Sequence, residues 1–245
     1  MLQKLIKIFI GIFNYNSLKR LLKNKKLKYV EDIYFLHIRK CGGTNLGNSF
    51  KKINENSFIK IIKLRHKDKI YNLDINQKYC FSVREPINAY ISAFNDRKRD
   101  GRPTFNIKKN LFEKISFYFF KNSDELAKNL YSKNIFKKIL SNFAIRSITH
   151  VNEPLYSWFK ISEIKRHKPF FIFDVRSLDD DCRLFCKKLK IQNVPLSSNM
   201  RISHKSPFMK DDLTKTSKKN LKKYFSKDIE IYNYIHSIKD TINLS

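Results

Sequence analysis

The stretch Phe35-Leu36-His37-Ile38-Arg39-Lys40-Cys41-Gly42-Gly43-Thr44-Asn45-Leu46 joins two kinds of pattern. The run Ile33–Ile38 is short, continuous and apolar, as expected of a buried strand, and from Thr44 onward the spacing is helical. The chain has only five glycines, and two of them stand side by side at Gly42 and Gly43. A pair spent there suits a turn whose backbone must come close to something that a side chain would block. The first turn of a helix offers unpaired N–H groups. Strand, glycine turn with Lys40, and helix N-terminus together make a place to hold phosphate or sulfate. The common nucleotide loop GxxxxGK[ST] carries its lysine after the last glycine, whereas Lys40 precedes both, which argues against a kinase-like protein that binds ATP with Mg²⁺. A plain strand-to-helix turn with a surface lysine is the bland alternative.

A second element downstream favours the anion reading. Tyr79–Val83 is another buried-strand pattern, and it runs into Arg84-Glu85-Pro86, where Pro86 suits the first position of a helix. Arg84 is thereby left at the strand's end. Ser92, about two helical turns on, falls on the helix face that looks back toward Arg84. A guanidinium and a hydroxyl so placed can receive a second phosphate group.

Working outward, strands are expected at Ile33–Ile38, Phe58–Leu64, Tyr79–Val83 and Phe170–Phe173. Helices are expected at Thr44–Ile53, Pro86–Arg97, Asn134–Ile148 and Leu178–Leu189. This alternation predicts an α/β fold of three layers, a mainly parallel central sheet with helices on both faces and ligands at the carboxyl ends of the strands. Residues 31–245 read as one domain, with no linker or repeat to divide them, behind a basic amphipathic segment over residues 1–30.

Together the two segments resemble the sulfotransferases that use 3′-phosphoadenosine 5′-phosphosulfate (PAPS), in their carbohydrate-type and bacterial branch. That family's 5′-phosphosulfate loop reads HIPKTGGTSL, matched here by His37 to Leu46, and its 3′-phosphate motif reads VRDPxxRxxSxF, matched by Val83 to Phe94. Arg65-His66, the stretch Lys98 to Pro103, His204-Lys205-Ser206-Pro207, and Tyr224 with Asp228 and Tyr232 also look like family features, so the likeness covers roughly residues 33–235. It implies the P-loop-like sulfotransferase fold and sulfuryl transfer from PAPS to an acceptor hydroxyl, with a glycan as the family-level acceptor and release of 3′-phosphoadenosine 5′-phosphate (PAP). In the roles it implies, Lys40 and the loop Arg39, Cys41, Gly42, Gly43, Thr44 and Asn45 hold the 5′ end of the donor. Arg84 and Ser92 hold its 3′-phosphate, and His204, Lys205 and Ser206 form a flap. His66, at the exit of the second strand, is the candidate base. Lysine, arginine and backbone supply the positive field, so no metal is needed. Arg39, Cys41 and Asn45 depart from the family's proline, threonine and serine, and Glu85 stands for its aspartate. These departures keep open a degenerate, anion-binding relative that does no chemistry.

With 51 Lys+Arg against 22 Asp+Glu the net charge is +29. Alone this suggests nucleic acid or an anionic surface. No zinc-finger spacing, RNP-like aromatic block or basic heptad region accompanies it, and the abundance of Lys, Asn and Ile points in part to an AT-rich coding sequence. Nucleic-acid binding is thus the weaker alternative, and a multiply anionic donor is itself a use for the charge. Cys41, Cys80, Cys182 and Cys186 fit neither zinc spacing nor a disulfide framework, which suits a reduced, cytoplasmic setting. Cys41 reads as a small residue filling the loop. Met1–Phe13 is apolar but broken by Lys4 and Lys7, too short to span a bilayer. It reads either as a helix packed on the domain or as an interfacial helix at the inner membrane face. Of the other histidines, His37 is expected to pack, and His150 to begin a core helix that carries Tyr156, Trp158 and Phe159.

Overall fold

The structure, a computed structural model, describes residues 31–103, 105–191 and 213–245. The amino-terminal segment and the flap residues His204, Lys205 and Ser206 lie outside the described residues.

Four strands, β1 (Glu31–Leu36), β2 (Ile59–Lys63), β3 (Lys78–Val83) and β4 (Phe171–Asp174), form one sheet in the order β2-β1-β3-β4, and every pairing is parallel. The register sets Phe35 beside both Lys63 and Cys80, and Phe81 beside Ile172. Each expected strand is present to within a residue or two, and the four expected helices to within three. These are α1 (Gly43–Asn56), α2 (Pro86–Lys98), α5 (Ile135–Ser147) and α7 (Leu178–Lys188). Between and after them run α3 (Leu111–Phe119), α4 (Ser123–Asn129), α6 (Ile161–Arg166), α8 (Lys215–Tyr224) and α9 (Ser226–Leu244).

Strand alternation sends successive side chains to opposite faces, and each face is covered. Ile33, Phe35, Cys80, Phe171 and Phe173 pack with Leu46 and Phe50 of α1 and Phe185 of α7. Leu36, Tyr79, Phe81 and Ile172 pack on the other side with Trp158, Phe159 and the α9 residues Ile231, Tyr232 and Ile235. The fold is therefore α/β with helices on both faces of a parallel sheet. A third core lies among α2, α4, α5 and α8, around Phe94, Leu126, Ile145 and Leu221. No helix among the described residues is long and apolar enough to cross a membrane.

One local expectation fails. His150 does not begin a helix: it follows the end of α5 with φ 71, and the helical turn that comes next is a single 3-10 turn, Leu155–Ser157, entered through Pro154. Trp158 and Phe159 are buried as expected, but Tyr156 is half exposed. The positive φ and the proline break the helical spacing that Val151, Leu155 and Trp158 suggest.

Candidate active site at the carboxyl edge of the sheet

β1 ends at Leu36, and the loop after it turns through two left-handed residues, Lys40 (φ 57) and Gly42 (φ 77). Gly42 takes that conformation freely, whereas a residue with a side chain is strained there by roughly 1–2 kcal/mol. Lys40 is held from both ends: its carbonyl accepts from Arg84 Nη1 at 3.4 Å, and its Nζ lies 3.2 Å from Asp96 Oδ2. Gly43 is required for a different reason. A Cβ there would fall 2.2 Å from Cδ2 of His37, so the His37 ring can lie over the loop only because the position has no side chain.

Helix α1 starts behind this turn with Gly42 as its N-cap and no side chain capping it. Its first amides have no carbonyl partner within the helix. The Gly43 carbonyl is tied down by Lys63 Nζ at 3.2 Å. Helix α2 begins quite differently. Glu85 is its N-cap, and its carboxylate accepts from Ile87 N at 3.1 Å and Asn88 N at 2.8 Å. Arg84 immediately precedes this cap, largely buried, and burial lowers its pKa.

The cleft over the loop is lined by Arg39, Lys40 and Cys41, by Arg84, by Ala89 and Tyr90 of α2, and by His150, Glu153 and Asp228. Two of the expected clusters, the β1 loop and the β3 exit, are thus brought together. Ser92 lies half-buried on α2, on the stripe that also carries Ala89, Asp96 and Arg99. Thr44 and Asn45 stand in the first turn of α1. His66 is not on the cleft wall. It stacks on His37 with ring centroids 3.9 Å apart, behind the loop, with Trp158 edge-on at 6.4 Å.

Sequence reasoning missed Asp96 and Glu153, and placed neither Asp228 nor His150 at the cleft. Asp96 sits at the centre of the charges: Lys40 at 3.2 Å, His150 Nδ1 at 3.5 Å and Arg99 at 3.8 Å. Burial alone would raise its pKa, yet the His150 ring and the Lys40 ammonium hold the carboxyl down at about 2. Burial lowers the Lys40 pKa, with Asp96 opposing. Glu153 takes Arg39 at 2.7 Å, which fastens the loop to the segment after α5. Asp228, of α9, accepts from Tyr156 N at 2.9 Å, and burial raises its pKa to about 6. The legible signal for Asp96 was its place on the Ala89–Ser92 face of α2. Nothing local announces Glu153 or Asp228.

Behind α2, Glu113 is almost fully buried. It accepts from Arg97 Nε and Nη2, both at 2.7 Å, and from Thr149 N at 3.0 Å. Its carboxyl stays at about 2, because Arg97 and the amides of Asn110 and Thr149 outweigh burial. One buried carboxylate therefore fixes the chain neighbours of both Asp96 and His150.

Among the described residues, buried side-chain atoms without a hydrogen-bond partner are Arg39 Nε, Arg99 Nε, His150 Nδ1, Asn95 Oδ1 and Ser82 Oγ. Two of these are guanidinium N–H donors, on residues that touch the cleft wall or Asp96. An unpaired buried donor costs about 1–3 kcal/mol, and native structures keep few of them.

No family model matches the chain, and no curated protein matches it. What the site can do therefore rests on its own chemistry. A left-handed lysine and a strand-end arginine line one cleft, beside a helix start without a side-chain cap, and such a set suits an anion. The four cysteines are buried, free thiols. Cys41 is pushed up to about 12 by burial, so it stays protonated and fills the loop as expected. His66, behind the loop, has its tautomer set by its surroundings. Its Nδ1 lies 2.8 Å from the His37 carbonyl oxygen, which can only accept, so Nδ1 carries the hydrogen and Nε2 keeps a free lone pair. Burial lowers the His66 pKa and pushes that of His37 down to about 3, so both rings are neutral at neutral pH.

Proposed function

We propose that the chain is a PAPS-dependent sulfotransferase that passes a sulfuryl group to an acceptor hydroxyl, with a glycan as the favoured acceptor class. The observation that carries the reading is the uncapped start of α1 behind Lys40, with Arg84 hydrogen-bonded to the Lys40 carbonyl. Two anion-binding elements then stand side by side, as a donor with a 5′-phosphosulfate and a separate 3′-phosphate requires.

In this mechanism the acceptor oxygen attacks sulfur in line with the bridging S–O bond. The new O–S bond forms as the S–O bond breaks, and the electron pair leaves on the 5′-phosphate of PAP. The charge that develops there falls beside Lys40 and the first amides of α1, which are already oriented. Thr44 and Asn45 add side-chain contacts at the same end, and Arg84 with Ser92 takes the 3′-phosphate. The acceptor proton passes to Nε2 of His66, whose ring is oriented through Nδ1 by the His37 carbonyl. The arriving anion competes with Asp96 for Lys40, and Asp96 keeps His150 and Arg99 as partners.

One observation favours a second reading, in which the site binds an anion or nucleotide without turnover: Lys40 is already neutralised by Asp96. Thermal unfolding with PAP, with ATP and with neither, each with and without Mg²⁺, tests the binding half. A ligand at 100 times its Kd adds about 2.7 kcal/mol, which for a chain of this size raises Tm by roughly 5–11 °C. The expected result is a rise with PAP that needs no Mg²⁺ and is absent with ATP. No response to PAP, or a preference for Mg²⁺ with ATP, overturns the reading. Turnover of PAPS with any acceptor then rejects the non-catalytic alternative. The pH profile of kcat/KM tests the base. Activity should rise as His66 loses its proton, at a pKa below the usual histidine value, and His66→Ala should erase that limb. If the limb survives, the cleft carboxylate Asp228 takes the role.

A further inference from the structure

Away from the cleft the structure leaves an unusual amount of apolar side chain in solvent. Among the described residues, eleven of the fifteen large exposed hydrophobic ones fall between Phe105 and Ile139. They are ordered rather than scattered. Leu111, Phe112, Ile115, Tyr118 and Phe119 form one stripe along α3, at 37–72 % exposure, while the opposite face of α3 buries Glu113 and Ser116. Ile135, Phe136 and Ile139 form a matching stripe on α5, at 61–69 % exposure. The two helices pack together, and Phe112 meets Phe143 edge-on at 5.9 Å, which joins the stripes into one face. Monomeric proteins seldom leave so large a contiguous apolar patch without a use.

The charges around this face are of one sign. Lys108, Lys114, Lys121, Lys133, Lys137 and Lys138 are all exposed. The three carboxylates of segment 105–146 are turned away: Glu113 is buried on Arg97, Asp124 accepts from Thr214, and Glu125 accepts from the Lys121 amide. We infer that the α3–α5 face docks on an anionic lipid surface, with the apolar stripes entering the acyl boundary and the lysines meeting the headgroups. The charge pattern chooses the occupant. A second copy would set lysine rim against lysine rim in a chain of net charge +29, and the apolar amino-terminal segment carries Lys4 and Lys7 of the same sign. Phe112, Tyr118, Phe119 and Phe136 offer rings for bases to stack on, but Leu111, Ile115, Ile135 and Ile139 among them do not, whereas all eight suit an acyl boundary. Anionic lipid satisfies both halves of the pattern, since lysine stems cover apolar surface while their heads reach the phosphates.

Co-sedimentation of the full chain with vesicles tests this, comparing pure phosphatidylcholine with vesicles containing about 30 % phosphatidylglycerol, a charge density at which each lysine near the surface contributes. The chain should pellet with the anionic vesicles and stay in solution with the neutral ones. The variant Leu111→Ser/Phe136→Ser/Ile139→Ser, altered at exposed positions only, should lose at least about tenfold in partition with its Tm kept. Lys114→Gln/Lys137→Gln/Lys138→Gln should lose the preference for phosphatidylglycerol. An unchanged partition in the serine variant overturns the proposal and moves membrane binding to the amino-terminal segment. So does equal pelleting with both vesicle types. Self-association in sedimentation velocity, or binding of a labelled oligouridylate, that the serine variant abolishes overturns it in favour of a second copy or of RNA.

Discussion

Helices α1 and α2 leave neighbouring strands at the same edge of the sheet, yet they begin in opposite ways. At α1 the N-cap is Gly42, in left-handed backbone, and makes no side-chain capping hydrogen bond. At α2 the N-cap is Glu85, whose carboxylate already takes the amides of Ile87 and Asn88. Both starts carry the same partial positive charge. Only the first leaves it for a ligand. An anion at α1 is therefore met by backbone, whereas an anion near α2 must be met by side chains, Arg84 foremost. The lesson is that two motifs alike in outline, strand, basic residue and helix, differ in which atoms do the binding, and that the capping residue decides it.

The largest expected effect is at Lys40. If the α1 backbone binds and Lys40 answers the charge that develops on the leaving oxygen, Lys40→Ala should lose about 10²–10³ in turnover and change the Kd for PAP far less. An equal loss in both would mean that Lys40 is a binding residue like Arg84, and the contrast between the two starts would weaken. At the second start, Arg84→Gln should weaken PAP roughly 10–100-fold, the worth of a charged hydrogen bond of about 1.5–3 kcal/mol, as read by calorimetry. Its companion, Glu85→Ala, should destabilise by about 0.5–2 kcal/mol and leave PAP affinity within about twofold. Tighter PAP binding on freeing the α2 amides would break the comparison.

A third test uses pH. The Asp96 carboxyl is held below its unfolded value, at about 2. A depressed acid contributes stability that is present above the unfolded pKa of about 3.9 and is lost as pH falls through the folded one. The contacts of Asp96 with His150 and Lys40 should thus together stabilise at neutral pH and fade between about pH 4 and pH 2, by up to roughly 2 kcal/mol. Asp96→Asn should flatten the Tm profile in that window. A profile no flatter than that of the parent chain would mean that the ion pair adds nothing to the loop's strained geometry.

The sheet and the two helix starts at its carboxyl edge were legible because their signals are local. Buried parallel strands are continuous apolar runs, and Pro86 and the glycine pair mark helix starts within a few residues of the side chains they position. The partners of the loop were not legible. Asp96 and Glu153 reach Lys40 and Arg39 only through tertiary packing, and no spacing rule connects them. His150 was misread because its apolar followers mimic a helix that Pro154 and a left-handed turn forbid. The segment of α3 went unassigned for a related reason. Leu111, Phe112, Ile115, Phe117, Tyr118, Phe119 and Phe120 ring the helix nearly all round, so periodicity points to no face.

Glu113 has one more consequence. It grips α2 through Arg97 and the exit of α5 through Thr149, one residue away from Asp96 and from His150. It also belongs to α3, whose outer side carries the apolar stripe. The neighbours of Asp96 and His150 are thus tied to one carboxylate of the helix that carries the exposed face. Free energies around such a joint are reciprocal. If a load on the outer face displaces Glu113 and so alters the hold on an anion at Lys40, that anion must return the same factor to the outer face.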